Sequence, residues 1–235
     1  MYSKETIEKY NRLMTDAINN ILVKTSDLDA LTTSISAGNR KIGRVLNVST
    51  APIKDCGNCA HCMHYCYDIK AVVFHTNSVL PARAKNHILA NENRTKFFAD
   101  IENRIARRRT NKFFRWHVAG DIIDADYFEN MIAIARRHTD FTFWTYTKRF
   151  DIANEWIRNN GDIPANMHIM FSVWDGMPTP NPYNMPVFAC RLKDGNKDIT
   201  DAEFSRMYKC PGNCDVCKAA GRGCVVGESA YADEH

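Results

Sequence analysis

The residues in this chain best equipped for chemistry are eight cysteines in two tight groups. The first reads Cys56-Gly-Asn-Cys59-Ala-His-Cys62-Met-His-Tyr-Cys66. The second reads Cys210-Pro-Gly-Asn-Cys214-Asp-Val-Cys217, with Cys224 following a glycine-rich stretch. Thiolates at gaps of two and three residues converge on one centre with little chain rearrangement, which suits an iron–sulfur cluster or a zinc ion. Cys56, Cys59, Cys62, Cys66, Cys210, Cys214, Cys217 and Cys224 are therefore the candidate metal ligands. Cys190 stands apart near a strand end and reads as a small buried hydrophobe.

The gaps of the first group match the run of bacterial ferredoxins, where the fourth cysteine serves another cluster. Here Tyr67, not proline, follows Cys66. Zinc sites pair two Cys-x2-Cys arms across a longer loop, and Cys56 with Cys59 and Cys214 with Cys217 supply such arms. His61 and His64 add imidazoles that suit zinc. Against zinc, eight cysteines exceed the needs of one tetrahedral site. The expected cofactor is an iron–sulfur cluster, [4Fe–4S], at one or two sites; zinc is the alternative.

A disulfide framework is the other use of so many cysteines, and it needs an oxidising compartment. Met1-Tyr2-Ser3-Lys4-Glu5-Thr6 has no apolar run of the secretory kind. With 45% hydrophobic residues in 235, the chain can bury a core without covalent staples. The expectation is a cytoplasmic protein. No apolar stretch approaches the span of a bilayer, so no membrane is expected. The net charge of +4 is modest, but Arg104, Arg107, Arg108, Arg109, Lys112 and Arg115 form a basic run, with Arg136 and Arg137 beyond it. Such a run is either a solvated helix face or a nucleic-acid footprint.

The elements that must position these residues follow in order. Ile7, Tyr10, Met14, Ala17, Ile18 and Ile21 recur at helical spacing. Arg44 to Ser49 reads as a strand leading into the first cysteine group. Residues 81 to 109 read as two helices broken at Asn91-Glu92-Asn93. Strands at Phe113–Val118, Phe141–Tyr146, Met167–Val173 and Met185–Cys190 then alternate with helices at Asp126–Arg137 and Ile152–Ile157. This predicts an α/β fold: a parallel sheet of four to six strands, open or curved into a partial (β/α) barrel. Cysteine-rich metal-binding segments flank it at both ends of the chain. One domain is expected, with a helical segment at 1–42, the core at 43–195 and a cysteine-rich segment at 196–235. His117 is expected inside a strand.

In parallel sheets the ligand site lies beyond the carboxyl ends of the strands. Those ends carry Gly120-Asp121, Lys148-Arg149, Asp175-Gly176 and Cys190-Arg191. Asp121, Lys148 and Asp175 are the candidate catalytic residues, with Arg149 beside Lys148 to hold a carboxylate or phosphate. The alternative is that Lys148 pairs with one of the acids and ties adjacent loops together.

The stretch Phe114-Arg115-Trp116-His117-Val118-Ala119-Gly120-Asp121, followed by Phe143-Trp144-Thr145-Tyr146-Thr147-Lys148, resembles the phage gene product 88 family. That family has a cysteine cluster closing in Cys-Tyr, as Cys66-Tyr67 does here, and a cysteine-rich C-terminal segment comparable to Cys210 through Cys224. The resemblance implies phage or prophage origin and an iron–sulfur centre, and no established activity. More distantly, Tyr146-Thr147-Lys148-Arg149 and Phe171-Ser172-Val173-Trp174 resemble radical-SAM-like phage proteins, which implies S-adenosylmethionine. Those proteins space three cysteines Cys-x3-Cys-x2-Cys. Cys210, Cys214 and Cys217 match that order, but after the sheet rather than after its first strand. The first group reverses the gaps, with Tyr65 before Cys66. Two function classes stand. One is an iron–sulfur enzyme, redox or radical-SAM-like, acting on a small molecule or redox partner. The other is a zinc-stapled nucleic-acid-binding or structural protein, with Arg104–Arg115 on phosphates.

Overall fold

The computed structural model describes residues 2–57, 59–60 and 62–233. The chain divides into two compact units. The first comprises residues 1–35, 48–109 and 117–123; the second comprises 36–47, 110–116 and 124–235.

The first unit is helical. Helix α1 (Lys4–Lys24) starts at Ser3, whose hydroxyl accepts from Thr6 N, and it buries Tyr10 and Met14. These pack with Ala51, Ile69, Val72, Leu80 and Ala84. Ile69 and Val72 come from α2 (Tyr67–Phe74), and Leu80 and Ala84 from α3 (Val79–Glu92). Helix α4 (Arg94–Ala106) follows after a single break at Asn93, whose side chain accepts from Lys96 N and caps it. The break falls where the Asn91-Glu92-Asn93 run predicts it.

The second unit is built on an open sheet of eight strands: β1 (Ile35–Ser36), β2 (Leu46–Val48), β3 (Phe113–Arg115), β4 (Thr142–Thr147), β5 (Met167–Val173), β6 (Val187–Arg191), β7 (Tyr208–Lys209) and β8 (Ala230–Asp233). Their order is β1-β2-β3-β4-β5-β6-β8-β7, and every pairing from β2 to β7 is parallel. The fold is thus α/β with a parallel sheet, as the alternation of elements predicts. One detail is corrected: the described residues form eight strands rather than four to six, in a sheet that is not closed, as either expected shape allowed. The additional strands are two to four residues long, too short to carry a period of two. His117 is a further correction. Strand β3 ends at Arg115, and His117 sits beyond it with φ 52°, buried in the first unit.

Register decides which side chains share a face. Phe143 pairs with Met167, Thr147 with Phe171 and Phe114 with Phe143, which puts these five on one face. Helix α6 (Phe150–Asn160) covers that face, with the Phe150 ring 4.9 Å from Phe171. Helix α5 (Ala125–Arg137) packs on α6, Phe128 meeting Trp156 edge-on at 6.0 Å. The short α7 (Asp201–Phe204) supplies Phe204 to Tyr231 and Ala189 of the same face.

The opposite face carries Arg115, Trp144, Tyr146, His168, Met170, Phe188 and Ala230. There the cysteine-rich C-terminal segment lies. Trp144, Met170 and Ala230 pack with Val45, Cys217, Cys224 and Val225, flanked by Phe113, Tyr146, Phe188, Tyr208 and Cys214.

Candidate metal centre

The second cysteine group owes its placement to short local structure. Asn213 Oδ1 accepts from Asp215 N and starts α8 (Cys214–Ala220), so Cys214 and Cys217 lie three residues apart on one helical face. Cys214 N donates to Lys41 O at 3.0 Å, and Cys210 N to Tyr231 O at 2.7 Å. Gly221 ends the helix in the left-handed region at φ 60°. Glu228 closes the following loop by accepting from Gly223 N at 2.7 Å and pairing with Arg222 through both oxygens.

These devices bring Cys210, Cys214, Cys217 and Cys224 to the wall of one cavity of about 20 Å³, completed by Tyr146, Tyr208, Val225 and Ala230. Tyr146 stands beside Cys224 and Tyr208 beside Cys217 on this wall. The Arg115 guanidinium lies 4.6 Å from the centre of the Tyr146 ring, and Arg222 lies 5.1 Å from that of Tyr208. Gly223, at φ 76°, makes room for this: a Cβ there would lie 2.8 Å from the Tyr208 ring and 3.7 Å from Cys217 Sγ.

Burial pushes the Cys224 thiol up to about 12; Tyr146 beside it pulls the other way. Burial also lifts Cys217 to about 11, reinforced by Cys210 and Cys214, and raises Cys214 against the pull of Arg115. Such thiols give up their protons to a bound metal rather than to water. The apolar cluster beside the cavity holds an unmet donor. Trp144 Nε1, fully buried in the same apolar cluster, has no hydrogen-bond partner among the described residues. A buried donor left in that state costs about 1–3 kcal/mol. Four soft donors thus share the cavity wall, although in the spacing seen here no three of them stand close enough to hold a single metal ion.

The first cysteine group lies in the first unit. A turn closes it, with Cys62 N and Met63 N both donating to Cys59 O. Cys66 caps α2, and burial pushes its thiol up to about 11 while the amides of Ile69 and Asp68 oppose that. Tyr10 is buried beside Asp68, Cys56, Cys66 and Asp55, which together with its burial raise its phenol far above the usual range. His64 Nδ1 meets Tyr2 O at 3.2 Å; His61 lies outside the described residues. Two polar clamps brace the group. Arg83 grips Asp68 through two hydrogen bonds of 2.8 and 2.9 Å. Asp55, directly before Cys56, accepts from Ala51 N at 2.8 Å, from Asn91 Nδ2 at 3.2 Å and faces His87 Nδ1 at 2.7 Å. Among the described residues, no three His, Cys, Asp or Glu side chains stand close enough to hold a single metal ion.

The carboxyl-edge candidates are distributed as follows. Asp121 belongs to the first unit, buried, with Oδ1 accepting from Ile122 N at 2.7 Å. Lys148 and Asp175 belong to the second. Lys148 is half-buried just past β4. Asp175 Oδ1 accepts from Lys197 N and Asp198 N at 2.7 and 3.0 Å, which ties its loop to the one after β6. Arg149 pairs with Asp151 at 3.1 Å. An open cleft of about 410 Å³ does lie past the ends of β6 and β8, walled by Arg191, Lys193, Asn196, Thr200, Asp201 and Asp233. Arg191 was legible there as a strand-end residue. The basic run is shared between units. Arg104, Arg107 and Arg109 are exposed at the end of α4, whereas Lys112 pairs with Asp140 and Arg115 covers Tyr146.

Sequence reasoning missed Tyr146 and Tyr208 as wall residues, and Arg115 over the Tyr146 ring. Two of them sit in strands whose alternation was visible, but only the pairing of β3 with β4 reveals that they share the cysteine face.

No curated protein and no solved structure matches the chain. No helix among the described residues is long and apolar enough to cross a membrane. The profile of the Gene product 88 family matches residues 6–183, a span that holds the first cysteine group and strands β2 to β5 and stops short of the second group. With most of its length matched, the chain belongs to the Gene product 88 family.

Proposed function

We propose that the protein is a phage-encoded iron–sulfur protein of the host cytoplasm, with a cluster held by Cys210, Cys214, Cys217 and Cys224, and that it works in electron transfer. The observation that supports this most is that all four thiols line a single cavity. A bound cluster would supply one-electron redox chemistry. The chain's own part is to fix the sulfurs and shield them. Helix α8 sets Cys214 and Cys217, and the Glu228 clasp sets the loop bearing Cys224. Val225, Ala230 and Trp144 exclude water, and Arg115 places positive charge beside Cys214 and Cys224. The forward Cys-x3-Cys-x2-Cys spacing is that of radical-SAM-like proteins. With Cys224 as a fourth ligand, however, no iron is left open for S-adenosylmethionine, which favours electron transfer over radical chemistry. The first group, with Cys56, Cys59, Cys62 and Cys66, is a second candidate site in its own unit. Asp121, Lys148 and Asp175 are retained as substrate-side residues of the enzyme reading.

Zinc is the second reading: about 20 Å³ is room for a single water-sized sphere, although the four thiols would have to draw closer to hold one ion. Anaerobic purification followed by iron, sulfide and zinc analysis separates the two. Brown protein with iron and acid-labile sulfide in equal amounts is expected. Cys214→Ala and Cys62→Ala should each remove part of that iron. Colourless protein carrying only zinc, or iron unchanged in both variants, would sink the iron–sulfur reading.

A further inference from the structure

The cleft past the ends of β6 and β8, of about 410 Å³, shares no residue with the cysteine cavity. Its lining falls between residues 191 and 233, wholly within the second unit. Arg191 and Asp233 are register partners at the last positions of two parallel strands. The period of two puts them on the face of Ala189 and Tyr231, opposite the cysteines. Phe204 packs on that face, its ring 5.2 Å from that of Tyr231, and Ile199 and Leu192 extend the apolar wall. The loop after β6 is pinned. Asn196 Oδ1 accepts from Leu192 N and its Nδ2 donates to Cys190 O, both at 2.9 Å. A capping box between Thr200 and Glu203 fixes the start of α7, and with it Asp201.

Around this apolar wall stand two cations, Arg191 and Lys193, and two carboxylates, Asp201 and Asp233. Arg191 lies 5.8 Å from the centre of the Phe204 ring and reaches Asp201 Oδ1 through one hydrogen bond of 3.1 Å. A guanidinium carries five N–H donors in a planar fork, so that bond occupies a small part of it. Asp233 meets Lys209 at 2.7 Å. A purely anionic ligand would lose against the carboxylates what it gains from the cations, and a purely cationic one the reverse. A molecule with both charges close together on an apolar body matches both sets. The volume falls within the range of about 300–1,000 Å³ of small-molecule sites, and the place is where parallel sheets bind their ligands.

We propose that this cleft binds a free α-amino acid with a large apolar side chain. Arg191 takes the carboxylate through paired N–H donors, Asp201 and Asp233 take the ammonium, and the side chain lies against Phe204 and Ile199. The site is independent of any metal at the cysteines.

Calorimetric titration of the whole chain with L-phenylalanine tests this, beside hydrocinnamate and phenethylamine, which keep the ring but lack the ammonium and the carboxylate respectively. Saturable binding of L-phenylalanine is expected, with each analogue weaker by about tenfold or more. Arg191→Gln and Asp201→Asn should each weaken it by about the same factor. Their urea midpoints should stay close to that of the unsubstituted protein, because the pair they break is exposed. If Arg191→Gln fails to fold, Asp201→Asn decides alone, its side chain being 88% exposed. Absence of saturable L-phenylalanine binding overturns the proposal. So does an analogue that binds as tightly as the amino acid, since one charge would then suffice. Affinity unchanged in the folded variants also overturns it, because the ligand would then sit elsewhere.

Discussion

At Gly223 a methyl group would lie 2.8 Å from the Tyr208 ring, and the backbone there has φ 76°, in the left-handed region. Gly223→Ala therefore combines left-handed strain of about 1–2 kcal/mol with overpacking of about 1–3 kcal/mol. A lowered urea midpoint is expected, together with loss of metal from this site alone. Five residues along, Glu228 gives a pH-dependent effect. Its pairing with Arg222 and the Gly223 amide holds its carboxyl down to about 2, against an ordinary 4.5. The pair is part-exposed and screened by solvent, so its contribution to stability is small. Because the folded pKa is depressed, that stability is complete above about pH 4.5 and is lost as the pH falls through about 2. Urea midpoints of Glu228→Gln and the unsubstituted protein should differ at pH 7 and converge near pH 2. A difference that grows with acid would contradict the assignment.

Between elements, the strongest single clamp joins α2 to α3. Asp68 is 2% and Arg83 17% exposed as side chains, so removing one charge strands the other. Asp68→Asn should cost about 3–5 kcal/mol, read as a fall in thermal midpoint with loss of the α2 amides from slow hydrogen exchange. The sequence showed these helices by their apolar spacing, and β3 to β6 by alternation. It could not show the clamp, because fifteen residues of chain separate its partners and nothing local marks them. The same limit governs the metal centre. Cys214 and Cys217 were legible as neighbours because a helical turn suffices to align them. Tyr146 and Tyr208 were not, being 62 positions apart and joined only through the order β6-β8-β7. Asp55 and His87 escaped for the same reason. His117 was misplaced because its neighbours are aromatic and β-branched, while its own φ of 52° takes it out of the strand.

Across the whole chain, residues 196–235 look in sequence like an appendage, and they are instead structural. Strand β8 sits between β6 and β7, and Cys217, Cys224 and Val225 cover Trp144 and Met170. Truncation after residue 195 should expose that apolar face and give aggregation visible by light scattering, rather than a smaller folded protein. The interleaving of the two units has a further bearing, on how the molecule is made. Each unit is assembled from three separate stretches of chain. Strand β2, made by residue 48, pairs with β3 only once residue 113 has left the ribosome. The first four thiols are complete by residue 66, but the second cavity lacks its wall until Ala230 has emerged. At about 5–20 residues per second, several seconds of synthesis separate the two events. Chains caught between the two events would have β4 and β5 formed with one face uncovered.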